Sequence, residues 1–302
     1  MNYYNEIKQE LINNEIYKKV KDYSKNRSDL NTYYNVGKLL VEAGKRYGES
    51  IIKEYSKRLT KEFGKGYTVT SLKYMRQFYI FSKGHSLSDQ LTWTHYRKLL
   101  PIKKDNEIEY YINIIKQQNL SVRELENKIK SKEYERLDKN TKEKLITKEE
   151  IKINDLVKNP ILIKNSYNYT DISEKILKQL ILEDLDNFLN ELGEGFTYIK
   201  NEYKIKLGKN YNYIDLLLYN IKYNCYVVVE LKVTELKKEH IGQIRLYMNY
   251  IDKKIKTIYQ DKTIGIIICK KDNKFVMEYC SDERIFETTY LLLNKEGQHE
   301  LL

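Results

Sequence analysis

Cysteine, histidine and proline are all scarce in this chain of 302 residues, which has three, four and two of them. The cysteines, at positions 225, 269 and 280, are too few and too scattered for a disulfide framework. The histidines show no spacing with the cysteines that would predict a zinc site. We therefore expect neither a disulfide-stabilised fold nor a zinc module, and we predict that Cys225 and Cys269 are core residues.

Long apolar runs are also missing. No stretch approaches the roughly 20 residues that a membrane-spanning helix needs. The first residues, Met1 to Tyr4, lead directly into a charged amphipathic segment and do not resemble a signal peptide. The sequence therefore predicts a cytoplasmic protein without membrane association.

Acidic residues are few in one part of the chain. The formal net charge is +11, and it is concentrated in residues 31–100, which hold 13 Lys and Arg but only 5 Asp and Glu. Residues 151–302, by contrast, hold 23 basic and 22 acidic residues. A lysine-rich composition would enrich both halves, so this asymmetry favours a polyanionic partner, nucleic acid, over a merely soluble basic face.

Two segments, YNYIDLLLY at 211–219 and YVVVELK at 226–232, have the composition of strands. An antiparallel hairpin turning near residues 220–224 would place Asp215 opposite Glu230, with Cβ atoms about 5 Å apart. Lys232 is two residues after Glu230 and shares its face of the strand. Two carboxylates and an ammonium group would therefore converge.

This combination suits a divalent metal ion. Mg²⁺ prefers oxygen ligands and is usually bound by one or two carboxylates together with substrate phosphates. We predict Asp215, Glu230 and the Leu231 carbonyl as metal ligands, and Lys232 as a group that orients water or stabilises charge on a phosphate. The alternative is a cross-strand ion pair on a solvated face. The nearly continuous apolar sequence VVVEL predicts a strand buried on both faces, where unpaired charges are costly, and favours the metal site.

The D…E-x-K pattern on a strand hairpin resembles the PD-(D/E)xK nuclease core. A wider set of segments resembles the YhcG-like family of that superfamily, namely GEGFTYIKNEYKI, YIDLLLY, CYVVVELK, HIGQIRLYMNYID and TIGIIICK. The first 140 residues resemble that family's helical domain through YYNVGKLL, YGESIIKEYSKRLTKEFGKGYT, LKYMRQFY, LTWTHYRKLL and LSVRELENKI. The resemblance implies an α+β protein, with an all-α N-terminal domain followed by a restriction-endonuclease-like α/β core around a mixed sheet.

The resemblance also implies further site residues, and this sequence departs from the family pattern at several positions. A Gln in the position of Gln243 faces the active site in the family, and Tyr247 lies one helical turn further on. The first core helix of the family carries an acid where this chain has Lys178, so Glu174 or Glu183 would have to replace it. The Pro before the first Asp is Ile214 here, and Lys200-Asn201-Glu202 stands where the family commonly has Gly-Arg-Gln.

The N-terminal half reads as helices. Asp29 or Ser28 is predicted to cap a helix that ends near Gly44, and Thr68 or Thr70 to cap another. The helices on either side of Gly64 to Gly66 resemble a helix-turn-helix with Lys73 and Arg76 exposed for nucleic acid, although a plain helical bundle fits equally well. Three aromatic residues here could stack on bases, but their spacing favours core packing: Phe78, Trp93 and Tyr96.

We expect three regions: a basic DNA-binding helical domain at 1–140, a linker at 141–160 and a nuclease-like domain at 161–302. The linker is predicted from a Lys-, Glu-, Asp- and Asn-rich composition with weak periodicity, and Pro160 marks its end. In the last region we expect a helix over 171–191. The other expected elements there are strands at 196–206, 211–219 and 225–232, a helix at 238–257, and strands at 263–270 and 274–280.

The function expected from this reading is metal-dependent hydrolysis of nucleic acid, most naturally DNA, with Mg²⁺ or Mn²⁺ as the cofactor. One alternative is a nucleic-acid-binding protein whose core does not cut. Another is a scaffolding subunit of a larger DNA-processing complex. A homodimer that cuts both strands also agrees with the resemblance.

Overall fold

A computed structural model describes residues 3–20, 25–64, 66–88, 90–147 and 149–294. The chain divides into two compact units, Met1–Tyr134 and Glu135–Leu302. His299, one of the four histidines, lies outside the described residues. Among the described residues, no helix combines the length and the apolar character needed to cross a membrane.

The first unit is helical. Its elements are α1 (Tyr3–Val20), α2 (Lys25–Tyr47), α3 (Ile51–Phe63), α4 (Val69–Phe81), α5 (Trp93–Leu99), α6 (Asp105–Gln118) and α7 (Val122–Lys130). Gly37 allows α2 and α4 to pack closely, because a Cβ atom there would lie 2.1 Å from the Met75 carbonyl oxygen. Phe78 and Tyr96 are buried, and the Phe78 ring lies 5.3 Å from that of Trp93, so the prediction of core packing is confirmed.

Two helix boundaries in this unit differ from expectation. Neither Ser28 nor Asp29 caps α2, which begins before them. Their side chains instead bind Asn14 of α1: Ser28 Oγ donates to Asn14 Oδ1, and Asn14 Nδ2 donates to Asp29 Oδ1. Gly44 lies inside α2, which continues to Tyr47. By contrast, Thr68 caps α4 as predicted, since its hydroxyl accepts from the Ser71 N–H.

Residues 141–160, expected to be a linker, contain folded structure. They include most of α8 (Lys139–Thr147) and all of α9 (Ile153–Leu156). Lys144 Nζ lies 2.8 Å from the buried Asp155 carboxylate, and Ile153 joins the core of the second unit. Charged composition indicated an open segment, but specific ion pairing and a few apolar anchors give it structure.

The second unit is built on a mixed sheet with the strand order β1-β6-β5-β4-β3-β2. The strands are β1 (Ile161–Lys164), β2 (Phe196–Leu207), β3 (Asn210–Asn220), β4 (Cys225–Glu235), β5 (Asp261–Lys271) and β6 (Ile285–Leu293). The helices are α10 (Glu174–Glu183), α11 (Leu185–Leu192), α12 (Lys238–Lys254) and α13 (Lys274–Cys280). The elements from α10 to β5 confirm the predicted order of a helical segment, three strands, a helix and a strand, with α10 and α11 together forming the helical segment.

The sheet has an apolar core on each face. One core joins the sheet to α10 and α11, and the other joins it to α12. Gly265 of β5 permits the close approach of α12, because a Cβ atom there would lie 2.7 Å from side-chain atoms of Ile244 and Met248. Cys225 and Cys269 are buried, as predicted.

Two expectations for this unit are wrong, and two strands were missed. The predicted helix at 171–191 is two helices that meet at Asp184. The predicted strand at 274–280 is α13, because Asn273 caps it by accepting from the Val276 N–H. Strands β1 and β6, which pair in parallel at the edge of the sheet, were not predicted.

Candidate active site

Asp215 and Glu230 meet where the pairing between β3 and β4 ends. The register places Leu216 opposite Val229, so the next positions outward are Asp215 and Glu230. The Asp215 N–H lies 3.5 Å from Glu230 Oε1. The predicted hairpin is therefore correct, and it brings the two carboxylates together beyond the last paired residues.

The backbone of Leu231 also turns toward Asp215. The Leu231 N–H donates to Asp215 Oδ2 at 3.0 Å. The N–H and C=O of a strand residue point to the same side of the strand. The Leu231 carbonyl therefore lies on the Asp215 side, where the sequence predicted it as a ligand.

The Glu230 carboxylate is buried without an adequate counter-charge. The residue is 1% exposed. Burial, reinforced by the neighbouring charge of Asp215, raises the pKa of Glu230 to about 8. Lys232, whose Nζ lies 3.5 Å from Glu230 Oε2, lowers this pKa but does not cancel the effects of burial and of Asp215. A carboxylate held in this way gains strongly from any cation that approaches it.

Lys232 occupies the place that its spacing predicted. Its side chain is 10% exposed and also lies 3.5 Å from Glu174 Oε1 of α10. Glu174, one of the two replacements considered for the missing first-helix acid, therefore reaches the site through Lys232. Glu183, the other, accepts instead from Gln179 on its own helix.

Lys178 is the site residue whose role the sequence did not reveal. Its Nζ lies 3.0 Å from Asp215 Oδ1 and 3.1 Å from Glu202 Oε1. Burial opposes its charge, but the hydrogen bonds and charges of Asp215 and Glu202 outweigh burial and raise the pKa of Lys178. Where the family's acid was expected, this chain places a cation against the first carboxylate.

Gln243 and Tyr247 lie on α12 near the same carboxylates. Gln243 Nε2 donates to the Tyr247 hydroxyl at 3.1 Å. Burial raises the pKa of Tyr247, the hydrogen bond from Gln243 and the charge of Lys232 act in the opposite direction, and the charges of Glu230 and Asp215 add to the rise. The structure thus joins Gln243 to the site through a buried tyrosine.

The donor set suits a hard divalent ion that retains water. Among the described residues there is no group of three or more His, Cys, Asp or Glu that could hold a metal ion. Two carboxylates and one backbone carbonyl leave positions for water and phosphate oxygens, which is the pattern of Mg²⁺ sites. The buried, raised-pKa carboxylate of Glu230 is the observation that fits such a cation.

The two residues predicted to bind nucleic acid in the first unit differ in their surroundings. Lys73 is exposed, as predicted. Arg76 is not: its side chain is 22% exposed, and Nη1 lies 2.6 Å from the Glu49 carboxylate. Arg76 links α4 to the turn before α3 and is already neutralised.

Two family models match this chain. The model described as the YhcG PDDEXK nuclease domain matches residues 154–301, and the DUF1016 N-terminal domain matches residues 7–136. Together the two models cover most of the chain, which therefore belongs to the YhcG-like family.

Among individual proteins, the chain is similar to one from Escherichia coli (strain K12) named "Putative nuclease YhcG". The two are 24% identical over 283 residues, covering 79% of this chain and 76% of the relative.

Solved structures give weaker matches. A repair endonuclease from Pyrococcus abyssi aligns with 19% identity and a TM-score of 0.29, covering 40% of this chain and 48% of that one. An EndoMS–dsDNA complex aligns with 20% identity and a TM-score of 0.30, covering 41% and 48%. The chain thus spans about half the length of these solved structures, and at such TM-scores they carry no argument about its function.

Proposed function

We propose that this chain is a metal-dependent nuclease that hydrolyses phosphodiester bonds in DNA. The single observation that carries the proposal is the buried Glu230 carboxylate beside Asp215, with Lys232 on the same face. Lys178 and Lys232 lie against these carboxylates, yet burial still keeps the pKa of Glu230 raised to about 8, so a further cation at this carboxylate would be stabilising. Membership of a PDDEXK nuclease family supports the same assignment.

Asp215, Glu230 and the Leu231 carbonyl would hold Mg²⁺ or Mn²⁺, which would lower the pKa of a bound water and offset negative charge on the phosphate. Lys232 would hold the attacking water or a non-bridging phosphate oxygen through its ammonium group. The water oxygen would bond to phosphorus and release a proton to solvent, while the leaving oxygen would depart with the electron pair of its bond to phosphorus and take a proton from solvent. Gln243 and Tyr247 would position the water or phosphate by hydrogen bonds.

Metal binding is tested by calorimetry with Mn²⁺. The wild type should bind, and Asp215→Ala should lose that binding because it removes one of two carboxylate ligands. Glu183→Ala is a matched control, since it removes an exposed carboxylate on α10. Equal Mn²⁺ affinity in the wild type and in the double variant Asp215→Ala/Glu230→Ala would refute the site.

Residues 31–100 would supply much of the affinity for DNA, because their excess of basic over acidic residues far exceeds that of residues 151–302. Lys73→Glu tests this surface. Arg76→Glu does not, because it would also break the ion pair with Glu49. Lys116→Glu reverses an exposed charge elsewhere in the helical unit and serves as the control. Equal loss of affinity in Lys73→Glu and Lys116→Glu would contradict the assignment.

One observation favours a second function, that of a nucleic-acid-binding or scaffolding protein with a core that does not cut. The Lys178 ammonium already compensates Asp215 in the position of the family's acid. Under this alternative the chain binds DNA but shows neither Mn²⁺ binding at Asp215 nor cleavage with any divalent ion.

A further inference from the structure

The hairpin of β2 and β3 extends beyond its neighbours in the sheet. Its strands remain paired as far as Leu207 and Asn210, whereas the pairing of β3 with β4 ends at Leu216. Residues 203–214 therefore form a two-stranded projection, which we call the arm. It begins directly beside the candidate active site, since Asp215 is the next residue of β3.

The arm has two different faces. On one face, Ile205 and Ile214 are buried in the core formed with α12, so the arm is fixed in position. On the other face, Lys204 pairs with Tyr213, and Lys206 pairs with Tyr211. Directly opposed residues point to the same side, so these four form one surface.

This surface is exposed and carries charge of one sign. Tyr211 and Tyr213 are 54% and 53% exposed. The sequence of residues 203–214, YKIKLGKNYNYI, has three lysines and no Asp or Glu. Lys204 Nζ lies 3.8 Å from the centre of the Tyr211 ring, so the ammonium group and the aromatic ring form one contact surface. Residues 151–302, which make up most of the second unit, are nearly neutral, with 23 basic and 22 acidic residues, so this positive surface is a local feature.

The surface leads to the carboxylates. A strand rises about 3.3 Å per residue, so Tyr213 lies roughly 7 Å and Tyr211 roughly 13 Å along β3 from Asp215. On β2, Glu202 precedes the arm and contacts Lys178, which contacts Asp215. A nucleic-acid strand held at the proposed metal site would therefore pass Lys178 before it reaches the arm.

We propose that the exposed face of the arm binds a single-stranded segment of nucleic acid adjacent to the bond that is cut. Lys204 and Lys206 contact its phosphates, and Tyr211 and Tyr213 stack on its bases. This inference rests on the proposed nuclease function, and it narrows the substrate to nucleic acid that is unpaired on this side of the site.

The exposed rings of Tyr211 and Tyr213 favour single-stranded over duplex nucleic acid as the ligand of the arm. Bases inside a duplex are already stacked on each other and are not open to a ring from a protein. Unpaired bases stack on aromatic side chains, while lysines follow the backbone, which is the usual arrangement of single-strand-binding surfaces. The opposite face of the arm is anchored through Ile205 and Ile214 in the core formed with α12, so the arm cannot enter a duplex groove as a free ribbon.

The lysines are tested by the salt dependence of binding. The full chain is titrated with a fluorescent single-stranded DNA oligonucleotide in EDTA, so that neither metal binding nor cleavage intervenes. Each phosphate contact contributes about −0.7 to the slope of log K against log salt concentration on single strands. In Lys204→Gln/Lys206→Gln the slope should become shallower by about 1.4. The control Lys253→Gln/Lys254→Gln removes the same charge from the exposed end of α12 and should keep the wild-type slope.

The tyrosines are tested by comparing two probes. Tyr211→Leu/Tyr213→Leu should bind the single strand at least about tenfold more weakly, because base stacking is worth about 1–3 kcal/mol per base. Binding of a blunt duplex of the same sequence should change by less than about twofold. Wild-type affinity and slope in both arm variants would overturn the inference, as would equal losses for single strand and duplex.

These results are separable from the proposed function. If the wild type cuts DNA and the arm variants bind like the wild type, the proposed binding role of the arm is refuted and the nuclease assignment stands. A wild type that never cuts, together with an arm-dependent salt slope, refutes the nuclease assignment and leaves the arm as a binding surface.

Discussion

Replacing Glu230 with Gln should stabilise the metal-free protein at alkaline pH. Glu230 is almost fully buried, and its pKa is raised to about 8 by burial and by Asp215. Its pKa in the unfolded chain is close to 4.5. Glutamine is similar in shape but never ionises, so the variant removes this titration and little else.

The sign follows from proton binding. Between pH 4.5 and about 8, the folded protein holds a proton on Glu230 that the unfolded chain has released. Unfolding in this window therefore releases a proton, and the free energy of unfolding falls as pH rises. The difference between the two pKa values corresponds to about 5 kcal/mol. The wild type should lose about that much stability relative to Glu230→Gln across the window.

The assay is urea denaturation of the wild type and Glu230→Gln in EDTA at pH 4.5, 6, 7.5 and 9. Subtracting the two curves of unfolding free energy against pH cancels the contributions of all groups that titrate alike in both proteins. Glu174→Gln is the control, because this carboxylate is 45% exposed and should show no comparable difference. A constant difference between wild type and Glu230→Gln from pH 4.5 to 9 would refute the reasoning that burial raises the pKa of Glu230 despite the nearby Lys232.

Two further predictions concern packing and metal affinity. Gly37→Ala should destabilise the helical unit by about 3 kcal/mol, the upper end for overpacking, because the new Cβ would meet the Met75 carbonyl oxygen at 2.1 Å. Gly44→Ala in the same helix has no neighbour closer than 3.9 Å and should stabilise by up to about 1 kcal/mol in thermal melts. Lys178→Met should tighten Mn²⁺ binding about tenfold by calorimetry, since it removes the cation 3.0 Å from Asp215. Unchanged or weaker binding would contradict a competing role for this ammonium.

The central hairpin could be predicted from sequence because both of its strands have strong local signals. YNYIDLLLY and YVVVELK combine β-branched, aromatic and aliphatic residues, and the short break at 220–224 fixes their register. The register then fixes Asp215 opposite Glu230. The pattern also indicated burial of β4 on both faces, and residues 227–232 are all buried.

The elements that sequence reasoning missed depend on distant contacts or on caps. Strand β1 has only four residues and exists through its pairing with β6 at the end of the chain. Helix α13 has a strand-like composition, FVMEYC, and its cap at Asn273 was the overlooked signal. Strand β6, with IFETTYLLL, carries an ordinary strand pattern that could have been recognised.

Lys178 shows why part of the site could not be predicted. The family resemblance placed Lys178 at the position of an acid, but nothing in the sequence showed which residue it contacts. Its contact with Asp215 spans 37 residues of sequence and depends on how α10 packs against the sheet. Arg76 is similar, because its partner Glu49 lies 27 residues away and cancels the charge that composition alone would assign to a binding surface.

The most direct test of the nuclease assignment is cleavage by Lys232→Met at saturating Mg²⁺ or Mn²⁺, with single-stranded, duplex and plasmid DNA as substrates. In the proposed site Lys232 is not a metal ligand, so the variant should fold, bind Mn²⁺ and cut about 10²–10³ times more slowly than the wild type. A folded, metal-binding variant that cuts at the wild-type rate would reduce Lys232 to a counter-ion of Glu230. The absence of cleavage by the wild type on every substrate and with either metal would contradict the nuclease assignment itself.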